Sequence, residues 1–124
     1  MISVLPSKDK SEIETLFKKH NLTTDENSGC VIARTGEEML CYCLYSLDDK
    51  TIIVFIVEPQ NDIMLADGIL RSALHVAAER FVLDAHYADT APIDLFEKLD
   101  FIKDRQEKQL NINKLFGGCT CSKN

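Results

Sequence analysis

Residues 51–59 read TIIVFIVEP, residues 60–68 read QNDIMLADG and residues 69–80 read ILRSALHVAAER, and this stretch decides the fold. Its first part is an unbroken apolar run, Ile52–Val57, rich in Val and Ile, as expected of a strand covered on both faces. In its last part Ile69, Leu70, Ala73, Leu74, Ala77, Ala78 and Phe81 recur at helical spacing, with Arg71, Glu79 and Arg80 off the stripe. The spacing therefore predicts a central strand, a loop ending at Gly68, and a long helix beginning at Ile69. Such a unit presents helix N-terminal amides at the carboxyl edge of a sheet, a place suited to an anion such as a phosphate.

Outward from this unit the remaining elements follow. Ile2–Leu5, closed by Pro6, reads as a first strand. Ser7 or Asp9 caps a helix that runs to Lys19 with Ile13, Leu16 and Phe17 facing inward. The polar segment 21–29 is a loop, and residues 30–35 and 39–47 read as strands joined by a turn at Gly36. Asp48, Asp49 and Lys50 then turn the chain into the central strand. After the long helix, residues 82–87 form another strand. Pro92 opens a short helix to Leu99, and residues 101–103 and 109–116 close as a hairpin. The order β-α-β-β-β-α-β-α-β-β predicts an α/β fold with a mixed, mostly antiparallel sheet around one parallel pair. A single domain over residues 1–118 and a Cys-containing tail over 119–124 are expected.

The 124 residues suffice for one domain with a sizeable core. A net charge of -6 argues against sequence-independent nucleic-acid binding, which depends on clustered Lys and Arg. No apolar run reaches the ~20 residues of a membrane span, and the N-terminus lacks the pattern of a signal peptide. A cytoplasmic protein with no membrane partner is expected. Five cysteines, an odd number, favour free thiols over a disulfide framework.

With these elements in order the chain resembles the GNAT superfamily of acyl-CoA-dependent N-acyltransferases. Leu95-Phe96-Glu97-Lys98-Leu99-Asp100-Phe101 is similar to the family's Leu-Tyr-Glu-Lys-Leu-Gly-Phe run. Ile56-Val57-Glu58-Pro59 is similar to the end of its fourth strand, where splayed backbone groups pair with the pantetheine arm of CoA. The resemblance implies acyl transfer from acetyl-CoA to an amine on a small molecule or a protein. Implied cofactor contacts fall on the backbone of Ile56 and Val57 and on Gly68, Ile69, Arg71 and Ser72 around the start of the long helix. A non-catalytic domain that binds a ligand or a partner is the alternative, and a homodimer is among the assemblies left open.

Departures from the family's pattern are specific. Its diphosphate loop, Arg/Gln-x-x-Gly-x-Gly/Ala, needs residues that let amides approach phosphate closely. Anchored on Gly68, the matching segment is 65–70 and keeps one glycine; counted without gaps from Pro59 it is 62–67 and keeps none. Glu58, Asp62 and Asp67 add negative charge, with only Arg71 to offset it. Phe96 stands where the family carries its acid tyrosine, and a phenyl ring cannot protonate a leaving thiolate. Asp89 and Asp100 stand where the family carries asparagine and glycine.

Two groups remain as catalytic candidates: Glu58, as a base at the end of the central strand, and Tyr87, as a replacement acid. Cys41 and Cys43, at i and i+2 of a strand, share one face and read as core residues. Cys119 and Cys121 follow Gly117 and Gly118 and read as reactive tail thiols. A lone Cys-x-Cys falls short of the four ligands of a closed zinc site, so no metal is expected. His75 reads as partly buried beside the helix stripe. His86 alternates with Tyr87, so one of the two faces the core.

Overall fold

A computed structural model describes residues 2–112. The order is β1 (Ile2–Pro6), α1 (Lys10–Lys19), β2 (Ser28–Thr35), β3 (Glu38–Leu47), β4 (Thr51–Glu58), α2 (Ile63–Glu79), β5 (Asp84–Tyr87), α3 (Ile93–Lys98), β6 (Ile102–Asp104) and β7 (Gln109–Leu110). These strands make one sheet in the order β1-β2-β3-β4-β5-β7-β6. β4 and β5 run parallel, Thr51 opposite Asp84 and Val54 opposite Tyr87, while the other neighbours run antiparallel. The α/β class and the single parallel pair agree with the pattern of the sequence.

Local chemistry explains the connections. Gly36 takes a φ of 63° in the β2–β3 turn, a conformation that costs glycine little. At the β3–β4 turn the Asp48 carboxylate accepts the amides of Lys50 and Thr51, both at 2.8 Å. Those two bonds hold its carboxyl below the usual carboxylate range. Asp9 caps α1, accepting from the amides of Ser11 at 2.9 Å and Glu12 at 3.4 Å.

Helices cover both faces of the sheet, giving two separate cores. Leu16 and Phe17 of α1 pack on Cys30, Ile32, Tyr42, Leu44 and Ile56. On the other face α2 lays Ala66, Ile69, Leu70, Ala73, Leu74 and Ala77 over β2, β3 and β4. The larger of those aliphatic side chains contribute about 1.5–3 kcal/mol each by leaving water. α3 adds Leu95 and Phe96 to that second core.

Both ends of α2 and the start of β5 differ from the sequence reading, and β2 begins two residues early, at Ser28. α2 begins at Ile63, so Gly68 lies inside the helix and the connecting loop is only 59–62. Asp62, at the N-cap with its side chain on the Leu65 amide, supplies the start signal in place of a glycine loop. The helix also ends earlier than the apolar stripe. Phe81, counted on that stripe, sits beyond the helix at a φ of 64° and is 91% exposed, and Val82 turns into the core in its place. β5 accordingly starts at Asp84 rather than at residue 82. In the closing hairpin Ile102 pairs with Leu110. Residues 113–116 of that expected strand, and the tail with Cys119 and Cys121, lie outside the described residues.

Candidate functional site

The site is built where the parallel pair separates. β5 stops at Tyr87, opposite Val54, while β4 runs on to Glu58. Along β4 the register against β3 jumps from Val54–Tyr45 to Ile56–Leu44, leaving Phe55 as an extra residue. Such a bulge bends the strand and re-aims the side chains beyond it. Ile56 then joins the core under α1, and Val57 joins the core under α2. Two carbonyls at the parting are taken up within the chain. Thr90 Oγ donates to the Phe55 carbonyl at 2.9 Å, and the Ala88 amide donates to the Val54 carbonyl at 2.9 Å.

On the α1 face, the last residue of β4 lines a cavity. Glu58 pairs across the sheet with Tyr42. Together with Lys19, His20, Met39 and Leu40 they border a space of about 360 Å³. His20 Nε2 and Tyr42 Oη share a hydrogen bond of 2.8 Å, and Lys19 Nζ stands 5.9 Å from the centre of the Tyr42 ring. Burial, and then the Glu58 carboxylate, push the Tyr42 phenol above its ordinary value, so it stays neutral at neutral pH. Among the described residues Glu58 has no hydrogen-bond or ion-pair partner, and neither has the Lys19 ammonium. A larger cavity of about 850 Å³ opens at the opposite end of the sheet, past Tyr45, Asp48 and Arg80. It lies at the last residues of β1 and β3, Pro6 and Leu47, away from the point where β4 and β5 part.

The α2 side of the cleft is where the resemblance puts acetyl-CoA, and its residues do not fit the diphosphate. Asp62 Oδ1 already accepts the Leu65 amide at 3.1 Å, one of the few N–H groups a first turn can offer. The exposed side chains of Ile63 and Met64 flank the other two first-turn amides. From Ala66 onward the amides belong to the helix ladder, the first of them bonding to the Asp62 carbonyl at 2.9 Å. Gly68 and Ile69 therefore offer no free amide, and Ile69 is buried. Ser72 Oγ donates to the Gly68 carbonyl at 2.9 Å. Arg71 Nε lies 3.0 and 3.1 Å from the two Asp67 oxygens, with its guanidinium 5.4 Å from the centre of the Phe101 ring. That arginine is committed to its own helix.

The other singled-out residues are structural in their contacts. Tyr87 is 4% exposed, its ring packs edge-on against Phe96 at 5.7 Å, and its hydroxyl is buried with no hydrogen-bond partner among the described residues. Glu58 and Tyr87 belong to different faces of the sheet, so the two catalytic candidates are not brought together. Phe96 is fully buried. His86 bonds through Nε2 to Asp84 at 2.9 Å and through Nδ1 to the Glu107 carbonyl at 3.1 Å, and Tyr87 is the member of that pair facing the core. His75 is exposed on α2 rather than partly buried. Cys41 and Cys43 are buried under α2, and Cys41 Sγ sits 3.9 Å from the Leu65 carbonyl. Among the described residues no group of three or more His, Cys, Asp or Glu is placed to hold a metal ion.

The sequence reading passed over His20, Lys19 and the use of Tyr42. Tyr42 could have been found by counting hairpin register back from the turn at Asp48, which sets it near Glu58. His20 carried no local signal, because α1 approaches β3 only through tertiary packing.

No family model matches the chain, and no curated protein matches it. Among solved structures it is similar to a GNAT-family acetyltransferase from Streptococcus pneumoniae, with a TM-score of 0.55 at 14% identity, over 82% of this chain and 88% of that one. A likeness at that identity establishes a GNAT-like fold. No described helix is long and apolar enough to cross a membrane.

Proposed function

We propose that the chain is an amine-binding domain on a GNAT-like fold, in which the side of the cleft facing α1 is built and the acetyl-CoA side is not. One observation carries this reading: a half-buried carboxylate, Glu58, without a partner among the described residues, opens into a cavity beside a neutral phenol. An anion in a partly desolvated site is stabilised by a cation, and a primary ammonium group is the cation such a site accepts. Met39 and Leu40 supply apolar contact for the carbon chain behind it. The volume lies near the lower end of the ~300–1,000 Å³ typical of small-molecule sites.

A second reading, acyl transfer to that amine, is favoured by the position of Glu58 at the end of a strand that outruns its parallel neighbour. In that geometry the same carboxylate would take a proton from the bound ammonium, directly or through water, before the nitrogen attacks. No step through the acyl donor is derived, because the α2 end does not fit its diphosphate.

Titration of the isotope-labelled protein with 3-methylbutylamine tests the main reading. Shifts of the Tyr42 and Glu58 amides that are lost in Glu58→Gln are expected. Shifts confined to residues away from β3 and β4, or unchanged by Glu58→Gln, would overturn it.

A further inference from the structure

The cavity at the end of β4 has two charged rims. Glu58 forms one, and Lys19, in the last turn of α1, forms the other, with the Tyr42 ring between them. The two do not meet: no ion pair joins them, and neither has a partner elsewhere among the described residues. Four other basic side chains of the fold are held in ion pairs. Arg34 pairs with Glu12, Arg71 with Asp67, Arg105 with Glu97 and Lys108 with Asp89. An opposed, uncompensated pair across a gap is complementary to a ligand that carries both charges itself.

We propose that the ligand of this cavity is a small zwitterion, a free amino acid with an apolar side chain. Its ammonium faces Glu58, its carboxylate faces Lys19, and its side chain lies on Met39 and Leu40. The Tyr42 hydroxyl, held by His20 at 2.8 Å, contributes a fixed polar group between the two ends. A dication is disfavoured, because its second charge would meet the Lys19 ammonium. A carboxylate without an amine is disfavoured in the same way by Glu58. This proposal rests on the amine-binding reading above and adds the second charge to it.

Three matched probes test it: leucine, 3-methylbutylamine, which is leucine without its carboxylate, and 4-methylpentanoate, which is leucine without its ammonium. Binding is followed by amide shifts in wild type, Lys19→Gln and the control Lys18→Gln, a neighbour that does not line the cavity. Leucine is expected to bind at least tenfold tighter than either analogue, a difference of about 1.4 kcal/mol. Lys19→Gln is expected to bring leucine down to the amine's affinity and to leave the amine unchanged or slightly tighter; Lys18→Gln is expected to change neither. Equal binding of leucine and the amine would overturn the zwitterion and leave the amine reading standing. Equal losses in Lys18→Gln and Lys19→Gln would also overturn it, as an effect of overall charge. Absence of binding by all three probes would overturn both readings.

Discussion

The two sides of the cleft at the end of β4 make opposite use of their polar groups. On the α2 side four polar groups have partners within the chain: the Leu65 amide has Asp62, Arg71 has Asp67, Ser72 has the Gly68 carbonyl and, at the parting itself, the Phe55 carbonyl has Thr90. On the α1 side a carboxylate and an ammonium face one cavity without partners among the described residues. A group satisfied internally loses little by having no ligand. Glu58 is half-buried and Lys19 exposed, so a ligand in the cavity can reach both. The proposed function places binding on the α1 side and structure on the other.

The sharpest way to break that division is at Phe96, the position of the family's acid tyrosine. Packed with full burial against Tyr87, it should act through stability alone. Phe96→Ala is expected to cost about 3–5 kcal/mol in urea unfolding. Amine binding by the fraction that remains folded should be unchanged, and an intact stability would place Phe96 outside the core.

Alkaline titration asks whether the sulfurs and phenols of the two cores are structural. Burial first of all pushes Cys30 up from 9.0 to about 11 and Tyr45 from 10.0 to about 12, and raises Cys41, Cys43 and Tyr42. In each the folded chain holds its proton to higher pH than the unfolded chain does. Their stabilising effect is complete below the unfolded values and is lost as pH rises from those values through the folded ones. Unfolding free energy should be flat from pH 7 to about 8.5, then fall by about 4 kcal/mol or more by pH 11. A flat profile to pH 11 would mean these groups reach solvent.

At Asp62 a smaller effect should appear with two signs. Asp62→Ala removes the α2 cap and should cost about 1 kcal/mol in thermal unfolding, while freeing the Leu65 amide for an anion. A variant that loses stability without any gain in acetyl-CoA binding would show that the cap is not what closes this end. Asp67→Gly, which the sequence alone would single out, is a poorer test. Asp67 lies in the second turn of α2, so glycine there weakens a helix and frees no loop. The least change is expected at Tyr87. Tyr87→Phe removes a buried hydroxyl that lacks a partner among the described residues and should be neutral or stabilising by up to about 1 kcal/mol. A clear loss of stability would reveal a partner for that oxygen.

Most of the architecture was legible because it follows from periodicity. The apolar run of β4, the stripe of α2 and the strand-helix-strand order leave little freedom in the parallel pair. What sequence hid was the chemistry of two boundaries. Gly68 suggests a glycine loop, but Asp62 starts the helix six residues earlier. Phe81 matched the stripe, yet the helix stops before it and the chain turns through left-handed backbone at that residue. Asp100 is the reverse case. Read as a departure from a glycine position, it adopts a φ of 62°, a region aspartate tolerates better than most residues. Of the site, Glu58 was legible from its place at a strand end. Its neighbours Lys19 and His20 were not, since the packing of α1 on the sheet brings residues together from across the chain.

The division of the cleft is tested most directly by calorimetric titration of the wild-type protein with acetyl-CoA at physiological salt. With the first turn of α2 capped by Asp62 and Arg71 held by Asp67, binding should be no tighter than roughly 0.1 mM. Low-micromolar binding would contradict the account, and would mean that the α2 end still receives the diphosphate despite its own carboxylates.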